Sequence, residues 1–225
     1  MFRLSRRAAL IAVSAIALTA CGAADSSNAQ TSGSGDVALT DIALGADDAP
    51  ITMVEYASWT CPACLQFHTD VIPMLKSEYV EAGHVKFVFR EFPTPPANIS
   101  VAGFALARCA GEDSYFDAID DLFAAQTNIL NLARSGGDIE GALRTLASSY
   151  GIEGDGFTDC LSNQDVTYAI SESVMKGDSQ GVNSTPTVFI NGEKLQGYDW
   201  RSAEGMKALL DSRLNLPAEA ETTDE

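Results

Sequence analysis

The sequence predicts an α/β domain, a central mixed sheet flanked by helices, with an all-helical subdomain inserted into it. Three observations carry this. Runs of β-branched and aromatic residues occupy positions 51–57 and 84–92. A further strand pair, TVFINGEKLQG at 187–197, turns at Asn191-Gly192, the strongest short hairpin signal. Between these blocks, residues 99–181 carry only helical periodicity.

The elements follow in order. DVALT at 36–40 reads as an additional strand, and ITMVEYA at 51–57 as a main one. From 62 to 82, Leu65, His68, Ile72, Leu75 and Tyr79 recur at spacings of three and four, the mark of a helix with one buried face. Pro73 should kink it. HVKFVFREF at 84–92 is the next strand. Five apolar-periodic runs follow, ISVAGFALARCA, SYFDAIDDLFAAQ, IEGALRTLASSYG, GFTDCL and VTYAISESVMKG, divided by Gly, Asp and Asn. A crossover between parallel strands needs only about a dozen residues, so this stretch is an insertion. RSAEGMKALLDSRL closes the domain as an amphipathic helix. The sheet domain is therefore expected over 36–97 and 182–215, and the helical insertion over 98–181.

The ends are different in kind. Residues 1–20 place Arg3, Arg6 and Arg7 ahead of an apolar stretch, with no acid before Asp25, which marks an export signal. The apolar part is too short to span a bilayer. It ends in LTAC, which resembles the lipobox of bacterial lipoproteins and makes Cys21 the expected lipidated first residue after cleavage. SRRAAL is a weak match to a twin-arginine signal. Residues 21–35 are small and polar, a flexible tether, and 216–225 form an acidic tail expected to be disordered. The net charge of −17 and pI near 4.3 argue against a nucleic-acid partner. An exported protein is also free to keep disulfides. Of the five cysteines, Cys21, Cys61, Cys64, Cys109 and Cys160, four remain to pair once Cys21 carries lipid.

The chemistry concentrates in YASWTCPACLQFH at 56–68. A strand, a short turn, Cys61-Pro62-Ala63-Cys64 and a helix form a specific arrangement. Pro62 suits the first helical position, where its missing N–H costs nothing. Cys61 then sits at the helix N-terminus, where unpaired N–H groups and the helix dipole favour a thiolate. Cys64 lies one turn on, on the same face and within reach of a bridge. A zinc site needs about four ligands, and one cysteine pair is half of that. A purely structural bridge across so small a loop constrains the unfolded chain little. A redox pair is the reading these comparisons favour, with the structural bridge and the metal clip as alternatives.

CPAC at 61–64, STPT at 184–187 leading into VFING, and the helical insertion that holds CAGEDSYFDAIDDLFAAQ at 109–126 together resemble the DsbA-like family of exported thiol–disulfide oxidoreductases. The resemblance runs from about residue 49 to 214 and implies a thioredoxin-like fold. It implies that Pro186 is cis and beside the cysteine pair, and that Thr185 offers backbone hydrogen bonds to an extended substrate peptide. It also implies a buried acid at Glu55 that relays a proton for the second cysteine; a solvated strand residue is the alternative. Where the best-known members have histidine between the cysteines, this chain has Ala63, which cannot stabilise a thiolate as an imidazolium would. The expected centre is therefore less oxidising than theirs.

His68 on the apolar helix face reads as a satisfied core histidine rather than a catalytic one. For Cys109 and Cys160 the economical reading in an exported protein is a second, structural disulfide, with two free buried thiols the alternative. The expected protein is a periplasm-facing lipoprotein, monomeric, with no cofactor and no metal. It would oxidise reduced exported proteins and be reoxidised by a quinone-linked membrane partner, as the resemblance implies. A reductase or isomerase of the same fold is one alternative; isomerases of this fold carry a dimerisation segment that is not expected here. A metal-handling lipoprotein using both cysteines as soft ligands is the other.

Overall fold

A computed structural model describes residues 37–216. The expected leader, the lipidated Cys21, the tether and the tail beyond residue 216 lie outside the described residues. The first strand, β1, is Ile42–Leu44. Residues 37–40 of the expected strand are not strand; their ladder groups go elsewhere, with the Ala38 N–H donating to the Arg108 carbonyl at 3.1 Å. β2 is Ile51–Ala57, the expected span.

Helix α1, Pro62–Asp70, follows directly. Its kink comes at Val71, upstream of Pro73, and a short piece, α2 (Ile72–Met74), leads into a π-helical stretch at Leu75–Val80. Pro73 has no N–H to give to the carbonyl four residues back, so the ladder opens one turn before the ring itself. β3 is Val85–Glu91.

The five expected helical runs are all helices: α3 (Ala97–Cys109), α4 (Tyr115–Ser135), α5 (Ile139–Ser148), α6 (Asp155–Ser162) and α7 (Gln164–Ser179). Asn163 caps α7 by accepting from the N–H groups of Asp165 and Val166. The hairpin β4 (Thr187–Ile190) and β5 (Glu193–Lys194) turns at Asn191 and Gly192, both with positive φ, which that turn requires. Ser202 caps the last helix, α8 (Ala203–Leu214).

The sheet order is β1-β3-β2-β4-β5. β2 and β3 are parallel, and the other neighbours are antiparallel, which makes the sheet mixed. β2 is central, and its residues alternate between two covered faces. Ile51, Met53 and Ala57 enter a continuous core shared with Phe87 and Phe89 of the sheet and with Phe104, Ile119 and Phe123 of α3 and α4. Tyr56 points the other way, into a smaller cluster with Val182 and Phe189. Sheet and helical segment are thus joined through one apolar interior. α3 and α6 are also cross-linked, by a disulfide between Cys109 and Cys160 that spans 51 residues. In the loop-closure model such a bridge is worth on the order of 4 kcal/mol.

A buried charge cluster fixes the start of the domain. Glu91 at the end of β3 faces Arg108 of α3, with Nε to Oε1 at 2.8 Å, and accepts from the Tyr115 hydroxyl at 2.7 Å. The Arg108 guanidinium also donates to the carbonyls of Ala38, at 2.7 Å, and Thr40, at 3.2 Å. The segment at 37–40 is therefore held by side-chain donors in place of a strand partner.

Trp59 locks the sheet's end to α3. It is fully buried, and its indole N–H donates to the Ser100 carbonyl at 2.8 Å. The ring lies so close to Gly103 that a Cβ there would sit 2.4 Å from the indole nitrogen. Gly103→Ala therefore opposes two effects. Helix propensity favours alanine by about 1 kcal/mol, and overpacking costs about 1–3 kcal/mol. The contact is with a ring that has nowhere to go, so we expect net destabilisation in urea unfolding. Stabilisation by the propensity increment would show that the ring gives way freely.

Candidate active site

The end of β2 delivers residues 58–61 as a tight turn, and the sequence then enters α1 at Pro62. Cys61 is the N-cap residue, with extended backbone (φ −87, ψ 121) and proline next to it. Its side chain is half-buried, whereas Cys64 is fully buried. Both are free thiols in this structure.

Their electrostatics differ sharply. The Cys64 thiol donates toward the Cys61 sulfur, the largest single cause that brings Cys61 down from an ordinary thiol value to about 5, against an opposing push from burial. The Thr185 side chain and the N–H groups of Cys64 and Ala63 add to it. The Cys61 sulfur also lies 3.6 Å from the Thr185 carbonyl oxygen. Burial drives Cys64 the other way, far above the usual thiol range, helped by its hydrogen bond to Cys61 and the nearby Glu55. One sulfur is thus built to be an anion and the other to keep its proton.

Glu55 lies on the core face of β2, paired in register with Phe89 and Val188. It is fully buried, and neither carboxyl oxygen has a hydrogen-bond partner among the described residues. Desolvation first, and the negative charge on Cys61 second, raise its pKa to about 8. A neutral, proton-bearing acid therefore stands behind the cysteine pair.

The loop before β4 closes the site. The Thr185–Pro186 bond is cis, and Thr185 reaches the Cys61 sulfur as described. His68 is elsewhere. It is buried against Phe123, with ring centroids 4.1 Å apart, and its Nε2 is 2.8 Å from Asp120. Burial lowers its pKa, so it sits as a neutral core ring whose Nδ1 has no hydrogen-bond partner among the described residues. Cys109 and Cys160 pair with each other, away from this centre.

Sequence reasoning missed the groups that hold the turn. Ser58 and Thr60 share a hydrogen bond of 2.9 Å, and Ser58 joins Ser100 at the same distance. Thr60 reaches the hydroxyl of Thr94 at 3.1 Å. Thr94 precedes a second cis bond, Pro95–Pro96. Gln126 of α4 donates to the carbonyls of Trp59, at 2.6 Å, and Cys61, at 3.0 Å. One signal for Gln126 was available: it is a polar residue on the buried stripe of an amphipathic helix, between Phe123 and Ile129. Such a residue needs a partner, but the stripe does not say which.

Known proteins share the fold. The family model described as thioredoxin matches residues 38–212. A Rickettsia bellii protein provisionally described as a protein-disulfide oxidoreductase is 27% identical over 163 residues, covering 72% of this chain and 61% of that protein. The chain thus spans about three fifths of the length of the rickettsial relatives it matches. Disulfide bond formation protein D of Bacillus subtilis is 25% identical over 158 residues, 69% of each chain. Among solved structures, the crystal structure of Wolbachia pipientis alpha-DsbA1 superposes with a TM-score of 0.67 at 26% identity, covering 78% of this chain and 91% of that one. With the family model covering residues 38–212, most of the chain, this chain belongs to the thioredoxin family.

Proposed function

We propose that this chain oxidises dithiols in exported proteins, using a disulfide between Cys61 and Cys64. The observation that carries the reading is the division of labour between the two sulfurs: Cys61 half-exposed with a pKa near 5, Cys64 buried and held protonated. A substrate thiolate attacks the Cys61 sulfur of the disulfide. The sulfur–sulfur bond breaks, a mixed disulfide forms, and Cys64 leaves with the electron pair. Cys64 is a poor anion in its buried position, and Glu55, whose pKa burial raises above the ordinary carboxyl value, is the nearby acid that can supply its proton. Solvent then reprotonates Glu55. The second substrate thiolate attacks the substrate sulfur of the mixed disulfide, and Cys61 departs as a stable thiolate. The substrate leaves with a disulfide and the centre is left reduced. Thr185, beside Cys61 and before the cis Pro186, is placed to offer backbone groups to an extended peptide.

The direction follows from the leaving group. A low-pKa thiolate stabilises the reduced centre, so the disulfide form is an oxidant. With Ala63 in the turn, the helix terminus and Cys64 supply this stabilisation without an imidazolium. Reoxidation by a quinone-linked membrane partner completes the cycle in this reading.

The test is the pH profile of alkylation in the reduced protein, read by mass at each cysteine. Thiolate accumulates as pH rises through a group's pKa. Cys61 should gain reactivity through pH 5 and level off, with Cys64 unreactive to pH 8. Cys64→Ser should accumulate mixed disulfides with reduced substrate, and Cys61→Ser should lose exchange altogether. Equal profiles for the two thiols would overturn the assignment of roles. Equilibration with glutathione buffers decides direction: a potential at or below thioredoxin's, about −270 mV, would make the protein a reductase.

The reading includes the location. The leader and LTAC support export and lipidation at Cys21, and no helix among the described residues is long and apolar enough to cross a membrane. The protein should fractionate with membranes, and Cys21→Ser should release it or block its processing. Intact mass showing cleavage elsewhere and no lipid would refute the anchor.

A further inference from the structure

Gln126 stands out among the buried polar groups of the helical segment. It is 3% exposed and sits on the α4 face that also buries Ile119, Leu122, Phe123 and Ile129. Its amide nitrogen has two protons, and it donates to two acceptors, the Trp59 carbonyl at 2.6 Å and the Cys61 carbonyl at 3.0 Å. These carbonyls flank Thr60. One amide from the insertion therefore grips both sides of the turn that ends in the reactive sulfur.

The Cys61 carbonyl is crowded with donors. It accepts from the N–H of Cys64 at 3.1 Å and of Leu65 at 3.0 Å, the bonds that start α1. Gln126 is a third donor, from a different element. The remaining hold on the turn comes from Ser58 and Thr60 against Thr94 and Ser100, on the side of the β3–α3 connection. The turn is thus clamped from two sides, and among the described residues Gln126 is the side chain of the helical insertion that bonds to the residue carrying the sulfur.

Two consequences follow. The carbonyl of an N-cap residue fixes that residue's backbone angles, and those angles aim its side chain at the N–H groups of the first turn. Carbonyl oxygens also carry partial negative charge. The amide protons of Gln126 offset that charge within the turn that must hold a thiolate, in an interior where such offsets are weakly screened.

We propose that Gln126 is a positioning residue: through the Trp59 and Cys61 carbonyls it holds the turn in the geometry in which Cys61 carries a thiolate, and so lets the helical insertion set the poise of the redox pair. This deepens the proposed exchange reaction and rests on Cys61 being its reactive thiolate. The two are tested separately, since substrate exchange by the unaltered protein tests the reaction and a titration without substrate tests Gln126.

The experiment compares Gln126→Met, which keeps length and removes the donors without adding charge, with Ile129→Ala, which weakens the same helix without touching the turn. The readouts are ultraviolet thiolate titration of the reduced protein, equilibration with glutathione, and urea unfolding. For Gln126→Met the Cys61 midpoint should rise by about one pH unit, a tenfold loss of thiolate below it. The equilibrium with glutathione should move about tenfold toward the disulfide form, which is about 30 mV less oxidising. Ile129→Ala should lose stability with its midpoint unchanged. If Gln126→Met does not fold, Gln126→Asn keeps an amide that cannot span both carbonyls, and its midpoint should rise by a smaller amount. An unchanged midpoint in a folded Gln126 variant, or an equal rise in Ile129→Ala, would overturn the proposal.

Discussion

The space behind the active-site turn holds room for one negative charge among three acidic groups. Burial raises the cost of ionising Glu55 and Cys64, and a charge on Cys61 raises it further for both. Cys61 takes the charge because it alone stands at a helix N-terminus, half-open to solvent, with a thiol and backbone N–H groups directed at it. The other two then keep their protons. Nucleophile, resolving thiol and proton donor are three answers to a single electrostatic competition.

The fold is what makes that competition possible. β2 must be central, and covered on both faces, for a carboxyl at position 55 to be fully dry. The turn after it must be stiff for Cys61 to meet the helix terminus correctly. Trp59 against Gly103, Thr60 against Thr94 and Gln126 on two carbonyls supply the stiffness, and each partner lies beyond β3 in the chain. The helical insertion is therefore part of the site's frame. The buried Glu91–Arg108 pair has a different effect. Such pairs add little net stability, but this one fixes where the chain enters the domain, through the carbonyls of Ala38 and Thr40.

Much of this was legible in the sequence because the signals were local. The period-two run at Ile51–Ala57, proline at the first position of α1 and Asn191-Gly192 each encode their own conformation. The family resemblance pointed to Glu55 and Pro186; in the structure the Glu55 carboxyl is dry and the Thr185–Pro186 bond is cis. The misplacements have physical causes. DVALT has strand composition, but the Arg108 side chain takes its carbonyls, and pairing with β3 begins only at Ile42. The break in the first helix falls at Val71 because a proline disturbs the turn behind it. Gln126 and the hydroxyls of Ser58, Thr60, Thr94 and Ser100 were not legible. Their partners are set by tertiary packing, across as many as 67 positions for Gln126 and Trp59.

Where the single charge resides decides the roles of all three groups. The most direct measurement is the titration of the Glu55 carboxyl, by infrared difference spectroscopy of reduced and disulfide-bonded protein, with Glu55→Gln identifying the band. In the reduced protein the carboxyl should ionise only as pH rises through about 8. In the disulfide form the Cys61 charge is gone, and the midpoint should fall while staying above the ordinary value of 4.5, since burial remains. A midpoint near 4.5 in the reduced protein, or one unmoved by oxidation, would contradict these roles.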